Sequence, residues 1–248
     1  MNIELDDGFQ FGLGAFETIC LKEGKPILLN WHLQRLNLAL DFFDIKKQLY
    51  RKDIFNWLET QLFVNKISIP DLHAMKIVVS SKNTIFMFRN NPYSENDYNK
   101  KCFRLGYSNI IRNETSPLVY HKTINFGDNI LARKFINDRG FDEVIFLNTK
   151  GEICEGSFSN IFFVKESQIY TPKVSCGLLP GIISRFLITH LPVKETSIYP
   201  KDIYQMDECF ITNSLMGIMP VISLEDKKYF NNVVTKKCMK IYFDYNLK

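Results

Sequence analysis

Residues 120–164 constrain the fold more than any other part of the sequence. Lys122 comes just before a segment with the residue pattern of a helix, and Glu155 lies thirty-three positions later, where a strand pattern begins. A lysine amine can form a Schiff base with the aldehyde of pyridoxal phosphate, and a carboxylate can keep the pyridine nitrogen of that cofactor protonated. Two solvated side chains in two loops are the alternative, so the neighbouring residues must decide between the two interpretations.

Five short segments carry that decision, in chain order: FGLGAFET at 11–18, HLQRL at 32–36, KTIN at 122–125, EGSFSNIF at 155–162 and LPGI at 179–182. The last three resemble the signature blocks of the class IV pyridoxal-phosphate aminotransferases and lyases. The first resembles the glycine-rich turn of that superfamily, and the second resembles its first phosphate-binding helix. The resemblance runs in order over residues 7–221, so the chain is identified as similar to a superfamily of branched-chain aminotransferases, D-amino acid aminotransferases and aminodeoxychorismate lyases.

The secondary-structure pattern predicts an α+β protein with two domains. Hairpins and helices alternate without the regular strand–helix repeat of a doubly wound Rossmann fold. The spacing of Leu33, Leu36, Leu40 and Phe43 predicts the apolar stripe of a helix. Residue patterns also predict helices at 129–139 and 182–190 and a strand at 143–147. Residues 90–97 are rich in turn formers and poor in aliphatic side chains, which favours a linker at 92–99 between domains at 1–91 and 100–248. The resemblance implies a D-amino acid aminotransferase-like fold, in which the larger second domain is a pseudo-barrel that carries the lysine, and the cofactor lies between the domains.

Composition excludes several other functions. The formal net charge of +4 comes from nearly balanced acids and bases without a dense basic run, which argues against binding to nucleic acid or a membrane surface. No apolar run reaches the roughly 20 residues that span a bilayer. The N-terminus lacks the apolar core of a signal peptide, so a cytoplasmic location is expected. The six cysteines and four histidines are scattered, which predicts neither disulfides nor a metal site.

By resemblance, Lys122 is the catalytic residue that binds the cofactor aldehyde, and it must also move protons on the substrate. That second task needs a neutral amine, which a dry site beside a cationic ring favours. Glu155 is expected to contact the pyridine nitrogen, and the glycine that follows it permits a close approach to the ring.

Four other residues are expected to bind the cofactor phosphate. Arg35 can make a charge-assisted contact with it, with a surface helix arginine as the alternative. The backbone amides of Ile182 and Ile183 open a predicted helix just after Pro180 and suit an anion. Ser214 aligns with a phosphate-binding hydroxyl of the superfamily, with a capping serine as the alternative.

Residues 112–118 and 213–221 look most like aminodeoxychorismate lyases. The resemblance therefore implies a lyase that converts 4-amino-4-deoxychorismate to 4-aminobenzoate and pyruvate, on the path to folate. Arg112 is a candidate for binding a substrate carboxylate, with a water-facing linker arginine as the alternative. An aminotransferase of D- or branched-chain amino acids and a cofactor-binding protein with little catalysis are the other hypotheses.

Three departures from the superfamily pattern stand out in the sequence. Leu13 replaces a common aspartate, Phe126 replaces a common tyrosine, and the segment after Gly181 is one residue longer. The resemblance therefore identifies the phosphate-binding amides only to within one position.

The resemblance also implies a homodimer that completes its active site with residues of the neighbouring subunit. The 21 phenylalanines and 11 tyrosines agree with this expectation, because aromatic residues are enriched at interfaces. We place the expected interface core around residues 16–21 and 27–31.

Overall fold

A computed structural model of the protein describes residues 2–64, 72–93, 102–134 and 140–246. The chain forms two compact units. The first contains Met1–Ser94 and His121–Phe126, and the second contains Glu95–Tyr120 and Gly127–Lys248. Most of the predicted linker at 92–99 lies outside the described residues. Within the described ranges, no helix has both the length and the apolar character needed to cross a bilayer.

A four-stranded antiparallel sheet is the centre of the first unit. The elements of this unit are α1 (Asp7–Phe11), β1 (Gly14–Lys22), β2 (Lys25–Pro26), α2 (Leu29–Phe42), α3 (Arg51–Glu59), β3 (Leu72–Ser80) and β4 (Thr84–Asn90). The strand order is β2-β1-β3-β4, so β1 and β3 are the interior strands.

One face of this sheet forms the hydrophobic core of the first unit. Ile19 of β1 and Ile77 of β3 are fully buried there. They belong to the same apolar cluster as Leu33, Leu36 and Leu40 of α2. These three leucines follow the helical spacing read from the sequence, so the predicted apolar stripe is confirmed. The opposite face of the sheet receives the alternate strand residues, because successive side chains of a strand point to opposite sides.

The segment His121–Phe126 belongs to the first unit, although second-unit residues lie on both sides of it in the sequence. The Phe16 amide donates to the Lys122 carbonyl at 2.9 Å, and Ala15 forms an antiparallel bridge with Thr123. We expected Lys122 to lie in the domain at 100–248. Backbone pairing with β1 instead gives it to the first unit, and sequence patterns alone do not reveal such a long-range pairing.

A larger mixed sheet, which is curled, is the centre of the second unit. The strands are β5 (Phe103–Tyr107), β6 (Glu143–Leu147), β7 (Ile153–Gly156), β8 (Asn160–Lys165), β9 (Gln168–Pro172), β10 (Val193–Thr196), β11 (Glu208–Asn213), β12 (Gly217–Leu224) and β13 (Lys227–Lys228). Their order is β10-β9-β8-β11-β12-β5-β6-β7, and β13 pairs with β12. The helices are α4 (Gly127–Lys134), α5 (Ile182–His190) and α6 (Val233–Asn246).

The predicted α+β class is confirmed, and so are several individual elements. The strand at 143–147 and the helix at 182–190 have the predicted bounds. The helix predicted at 129–139 corresponds to α4, and residues 135–139 lie outside the described ranges.

The expected interface core has two parts that differ in burial. In strand β1, Phe16, Ile19 and Leu21 are 7%, 0% and 0% exposed in the single chain, so these side chains pack inside one protomer. In the segment 27–31, the side chains of Ile27, Leu28 and Trp31 are half-buried. The position of the interface stays a prediction.

Candidate active site

Lys122 lies against aromatic rings of the first unit. Its Nζ atom is 4.4 Å from the centre of the Phe16 ring and 5.5 Å from the centre of the Phe126 ring. The two rings meet edge to face at 5.3 Å. The backbone pairing of Lys122 with β1 therefore places its amine beside an apolar, polarisable surface, which is the partly dry setting that a proton-transferring lysine requires.

A second lysine, which was not predicted from the sequence as a site residue, contacts the same phenyl ring. The Nζ atom of Lys76 is 4.6 Å from the centre of the Phe16 ring. Burial lowers the pKa of Lys76, and the positive charge of Arg89 lowers it further. Lys76 lies opposite Thr18 in the sheet, on the face turned away from the helices. The sequence does contain a signal for this residue, because Lys76 is a lysine in the middle of the otherwise apolar strand β3.

Arg35 is held by a buried carboxylate. Its Nε and Nη2 atoms donate to the two oxygens of Glu17 at 2.7 and 2.8 Å. His32 lies one helical turn before Arg35, and its Nδ1 atom is 2.6 Å from the same carboxylate. Glu17 is fully buried. The sequence predicted a role for Arg35 but none for Glu17 or His32, although both lie in the segments that resemble the superfamily.

The charges in this cluster set the protonation of Glu17 and His32. Burial alone would raise the pKa of Glu17, but the charges of Arg35 and His32 outweigh it and hold the pKa at about 2. Burial lowers the pKa of His32 and outweighs the charge and hydrogen bond of Glu17, which raise it, while the nearby charges of Arg35 and Lys122 lower it further. Glu17 is therefore an anion at neutral pH, and it fixes the plane of the Arg35 guanidinium through a two-pronged contact.

Glu155 forms a buried ion pair with Arg112 in the second unit. The Nη2 atom of Arg112 is 3.0 Å from Oε1 of Glu155, and both residues are 7% exposed. The Nη1 atom of Arg112 is 3.3 Å from Oδ1 of Asn129, and the guanidinium carbon lies 4.0 Å from the centre of the Phe146 ring. Burial excludes the water-facing alternative for Arg112.

The other oxygen of Glu155 faces the segment that leads into α5. Oε2 accepts from the Leu179 amide at 3.1 Å and lies 3.5 Å from Nδ2 of Asn160. The Asn160 amide also donates to the Leu179 carbonyl at 2.9 Å. A methyl group on Gly181 would come within 1.9 Å of the Asn160 side-chain oxygen. The absence of a side chain at Gly181 thus lets the start of α5 approach the turn that carries Glu155.

Glu143 holds the loop that follows Glu155. Its carboxylate accepts from the Ser157 amide and hydroxyl at 3.0 and 2.6 Å, from the Phe158 amide at 3.1 Å and from the Ser159 hydroxyl at 2.9 Å. Burial raises the pKa of Glu143, and the hydrogen bonds from Ser157 and Ser159 oppose that shift. No sequence pattern predicted this role of Glu143, because its partners in the loop lie 14 to 16 positions away.

The predicted phosphate-binding residues of the second unit lie at two element ends. Ile182 and Ile183 form the first turn of α5, and Gly181, which precedes them, offers no side-chain cap. Ser214 lies in the turn between β11 and β12. The hydroxyl of Thr212, at the end of β11, is buried and has no hydrogen-bond partner in the described part of the chain.

The predicted residues therefore fall into separate groups. The structure brings Arg112 and Glu155 into direct contact, and Asn160 connects Glu155 to the start of α5, where Ile182 follows. Lys122 and Arg35 both belong to the first unit.

Comparison with known proteins identifies the family. Residues 14–224 match the family model described as amino-transferase class IV. The chain belongs to this family. Family membership confirms the predicted enzyme class and pyridoxal phosphate as its cofactor.

Two relatives and one solved structure illustrate the range of activities in the family. The chain is 30% identical to the aminodeoxychorismate lyase of Bacillus subtilis, over 90% of this chain and 82% of that protein. It is 24% identical to a D-alanine aminotransferase of Listeria monocytogenes, over 96% and 92% of the two chains. A Legionella pneumophila structure assigned as a 4-amino-4-deoxychorismate lyase matches with a TM-score of 0.86 at 27% identity, covering 98% of this chain and 95% of that chain.

Proposed function

We propose that the protein is a lyase that converts 4-amino-4-deoxychorismate to 4-aminobenzoate and pyruvate. The observation that carries this proposal is the pair of lysines, Lys122 and Lys76, on the ring of Phe16. One amine serves the chemistry, and the other is a cation for a substrate that bears two carboxylates. The 30% identity to a lyase over most of the chain supports the same conclusion.

The donor set of the chain fits pyridoxal phosphate. The first turn of α5 carries backbone amides without a side-chain cap, which suits a phosphate. The buried hydroxyl of Thr212 has no partner in the described part of the chain, which suits a polar ligand. We infer that Arg35, the amides of Ile182 and Ile183, and Ser214 hold the phosphate. We also infer that the Glu155 carboxylate accepts a hydrogen bond from the protonated pyridine nitrogen.

Each proposed residue has one chemical task. Pyridoxal phosphate supplies an aldehyde that captures the substrate amine and a ring that stabilises negative charge at the adjacent carbon. Lys122 removes the proton from the ring carbon that bears the substrate nitrogen. Departure of enolpyruvate then makes the six-membered ring aromatic. Lys122 returns the proton to the methylene carbon of the departing enolpyruvate, which yields pyruvate.

For the substrate carboxylate we infer Lys76 as the cation in place of Arg112. Arg112 already pairs with Glu155 and contacts Asn129, so moving it to a substrate would leave a buried carboxylate without its cation. Such a rearrangement is costly. Binding of a substrate carboxylate by Lys76 breaks no such buried ion pair among the described residues.

The experiment reconstitutes the protein with pyridoxal phosphate and measures release of 4-aminobenzoate from 4-amino-4-deoxychorismate. We expect turnover and an absorbance of the covalently attached cofactor, and both should vanish in Lys122→Ala. The Lys82→Ala variant, which changes a lysine in the turn before β4, is the matched control and should behave as wild type. A fully active Lys122→Ala variant would remove the lysine from the mechanism.

An aminotransferase is the alternative, because some relatives are named as D-alanine or branched-chain aminotransferases. Adding D-alanine or L-leucine to the reconstituted protein distinguishes the two functions. An aminotransferase of D-amino acids converts its cofactor to the amine form with D-alanine, and a branched-chain aminotransferase does so with L-leucine. A lyase leaves the absorbance nearly unchanged and releases 4-aminobenzoate from its own substrate.

We further propose that the protein is a cytoplasmic homodimer and that its product enters folate synthesis. Family resemblance supports all three statements. Light scattering at micromolar concentration tests the dimer, and a fully active monomer near 29 kDa would contradict it.

A further inference from the structure

Arg112 is a buried cation whose contacts serve another side chain. Its guanidinium carbon lies 4.0 Å from the centre of the Phe146 ring, and Asn129 accepts from Nη1 at 3.3 Å. Asn129 is fixed in turn, because its amide donates to the Ser157 carbonyl at 2.8 Å. The backbone amide of Arg112 donates to the Leu147 carbonyl at 2.8 Å. Ring, amide and backbone together hold the Nη2 atom at one position.

That position is 3.0 Å from Oε1 of Glu155. The second oxygen of Glu155 receives the Leu179 amide at 3.1 Å. A carboxylate can accept about four hydrogen bonds, and these contacts hold the group in one orientation. Every one of these contacts comes from a donor, and a carboxylate surrounded by donors is stabilised as the anion.

We propose that Arg112 is a positioning residue for Glu155: it holds the carboxylate as an anion, so that the proton shared with a bound pyridine ring stays on the ring nitrogen. This inference rests on the proposed cofactor contact of Glu155. A carboxyl group and a pyridine nitrogen can share one proton in two ways, as an ion pair or as two neutral groups. The positive charge of Arg112 favours the ion pair, because it stabilises the carboxylate at contact distance.

The size of the effect follows from the ordinary influence of an adjacent cation on a carboxyl group. A neighbouring arginine shifts a carboxyl pKa by about 1–3 units. Removal of the charge should therefore move the proton distribution between Glu155 and the ring nitrogen by about 10- to 1,000-fold toward the neutral pair. A neutral ring is a weaker electron sink, so kcat should fall while KM for the amine substrate changes little.

The test measures the protonation state of the ring nitrogen directly. Wild type, Arg112→Met and Arg112→Lys are reconstituted with pyridoxal phosphate labelled with ¹⁵N in the ring, and the ¹⁵N chemical shift is recorded. We expect a protonated nitrogen in wild type and in Arg112→Lys, which keeps the charge, and a shift toward neutral pyridine in Arg112→Met. Arg104→Met removes an exposed arginine that pairs with Asp142, and it should match wild type.

A wild-type ¹⁵N shift in Arg112→Met would overturn the proposal. Arg112→Gln, which keeps hydrogen-bond donors without the charge, replaces the methionine variant if that one does not fold, and the same result would overturn the proposal there. Failure of the proposed function looks different. In that case the wild-type protein releases no 4-aminobenzoate from 4-amino-4-deoxychorismate, whereas the ¹⁵N shifts of the bound cofactor in wild type and in the variants still test the role of Arg112.

Discussion

Replacement of Glu17 by glutamine tests the buried charge cluster of the first unit. The change keeps the shape of the side chain but removes the charge that faces Arg35 and His32. Glutamine also turns an NH₂ group toward one of these donors, so one of the contacts at 2.6–2.8 Å must break. We expect the variant to fold with a lower free energy of unfolding at neutral pH.

The magnitude follows from the pKa of Glu17. The pKa falls from its ordinary value of 4.5 to about 2 in the folded protein, a difference of about 2.5 units. At about 1.4 kcal/mol per unit, the ionised carboxylate contributes roughly 3 kcal/mol at pH 7. Because the folded pKa is the lower one, this contribution is complete above pH 4.5 and disappears as the pH falls toward 2. The same linkage leaves roughly 1 kcal/mol at pH 3.

The assay is urea unfolding of wild type and Glu17→Gln at pH 7 and pH 3. Other carboxyl groups titrate in both proteins, so the difference between the two isolates Glu17. We expect that difference to be about 3 kcal/mol at pH 7 and to shrink by about 2 kcal/mol at pH 3. Asp53→Asn, which changes a carboxylate at the start of α3, is the control for acid effects elsewhere. A difference that does not depend on pH would refute the reasoning, because it would arise from packing rather than charge.

Two further substitutions test the site. Lys76→Met should raise KM for 4-amino-4-deoxychorismate while cofactor absorbance stays normal. Loss of one charge-assisted contact of about 1.5–3 kcal/mol should lower kcat/KM by about 10- to 150-fold. An unchanged KM in steady-state assays would exclude Lys76 from substrate binding. Gly181→Ala should weaken cofactor affinity and lower stability by about 1–3 kcal/mol, because its methyl group would come within 1.9 Å of the Asn160 oxygen. Apoprotein titration measures the cofactor affinity, and urea unfolding measures the stability. Gly151→Ala is the comparison variant: this turn position has no close neighbours but has a φ of 74°, so the variant shows the cost of backbone strain alone.

The sequence predicted the elements whose signals are local. The leucine stripe of α2, the strand at 143–147 and the helix at 182–190 each depend on residue spacing within one segment. The blocks around Lys122 and Glu155 likewise named the family, because their residue types recur in order along the chain. The cofactor roles of these two residues stay predictions that the experiments above address.

The partners of the charged residues were not predictable, because they depend on contacts between distant segments. Arg112 and Glu155 are 43 positions apart, and Arg35 and Glu17 are 18 apart on a helix and a strand. A sequence shows that a charge is present but not whether it is buried. The prediction for Arg112 treated it as available to a substrate for this reason.

Burial changes what a charged side chain can do. An exposed arginine can exchange water for a ligand carboxylate at little cost. When a buried arginine moves away from its partner, the partner carboxylate stays buried without a cation, and its desolvation penalty is no longer compensated. Arg112 and Arg35 both lie in such pairs. Their partners Glu155 and Glu17 therefore determine their roles as much as their own charge does. Glu17 fixes the plane in which the guanidinium of Arg35 would meet the phosphate in the proposed site, and the guanidinium of Arg112 acts through Glu155 in the proposed positioning role.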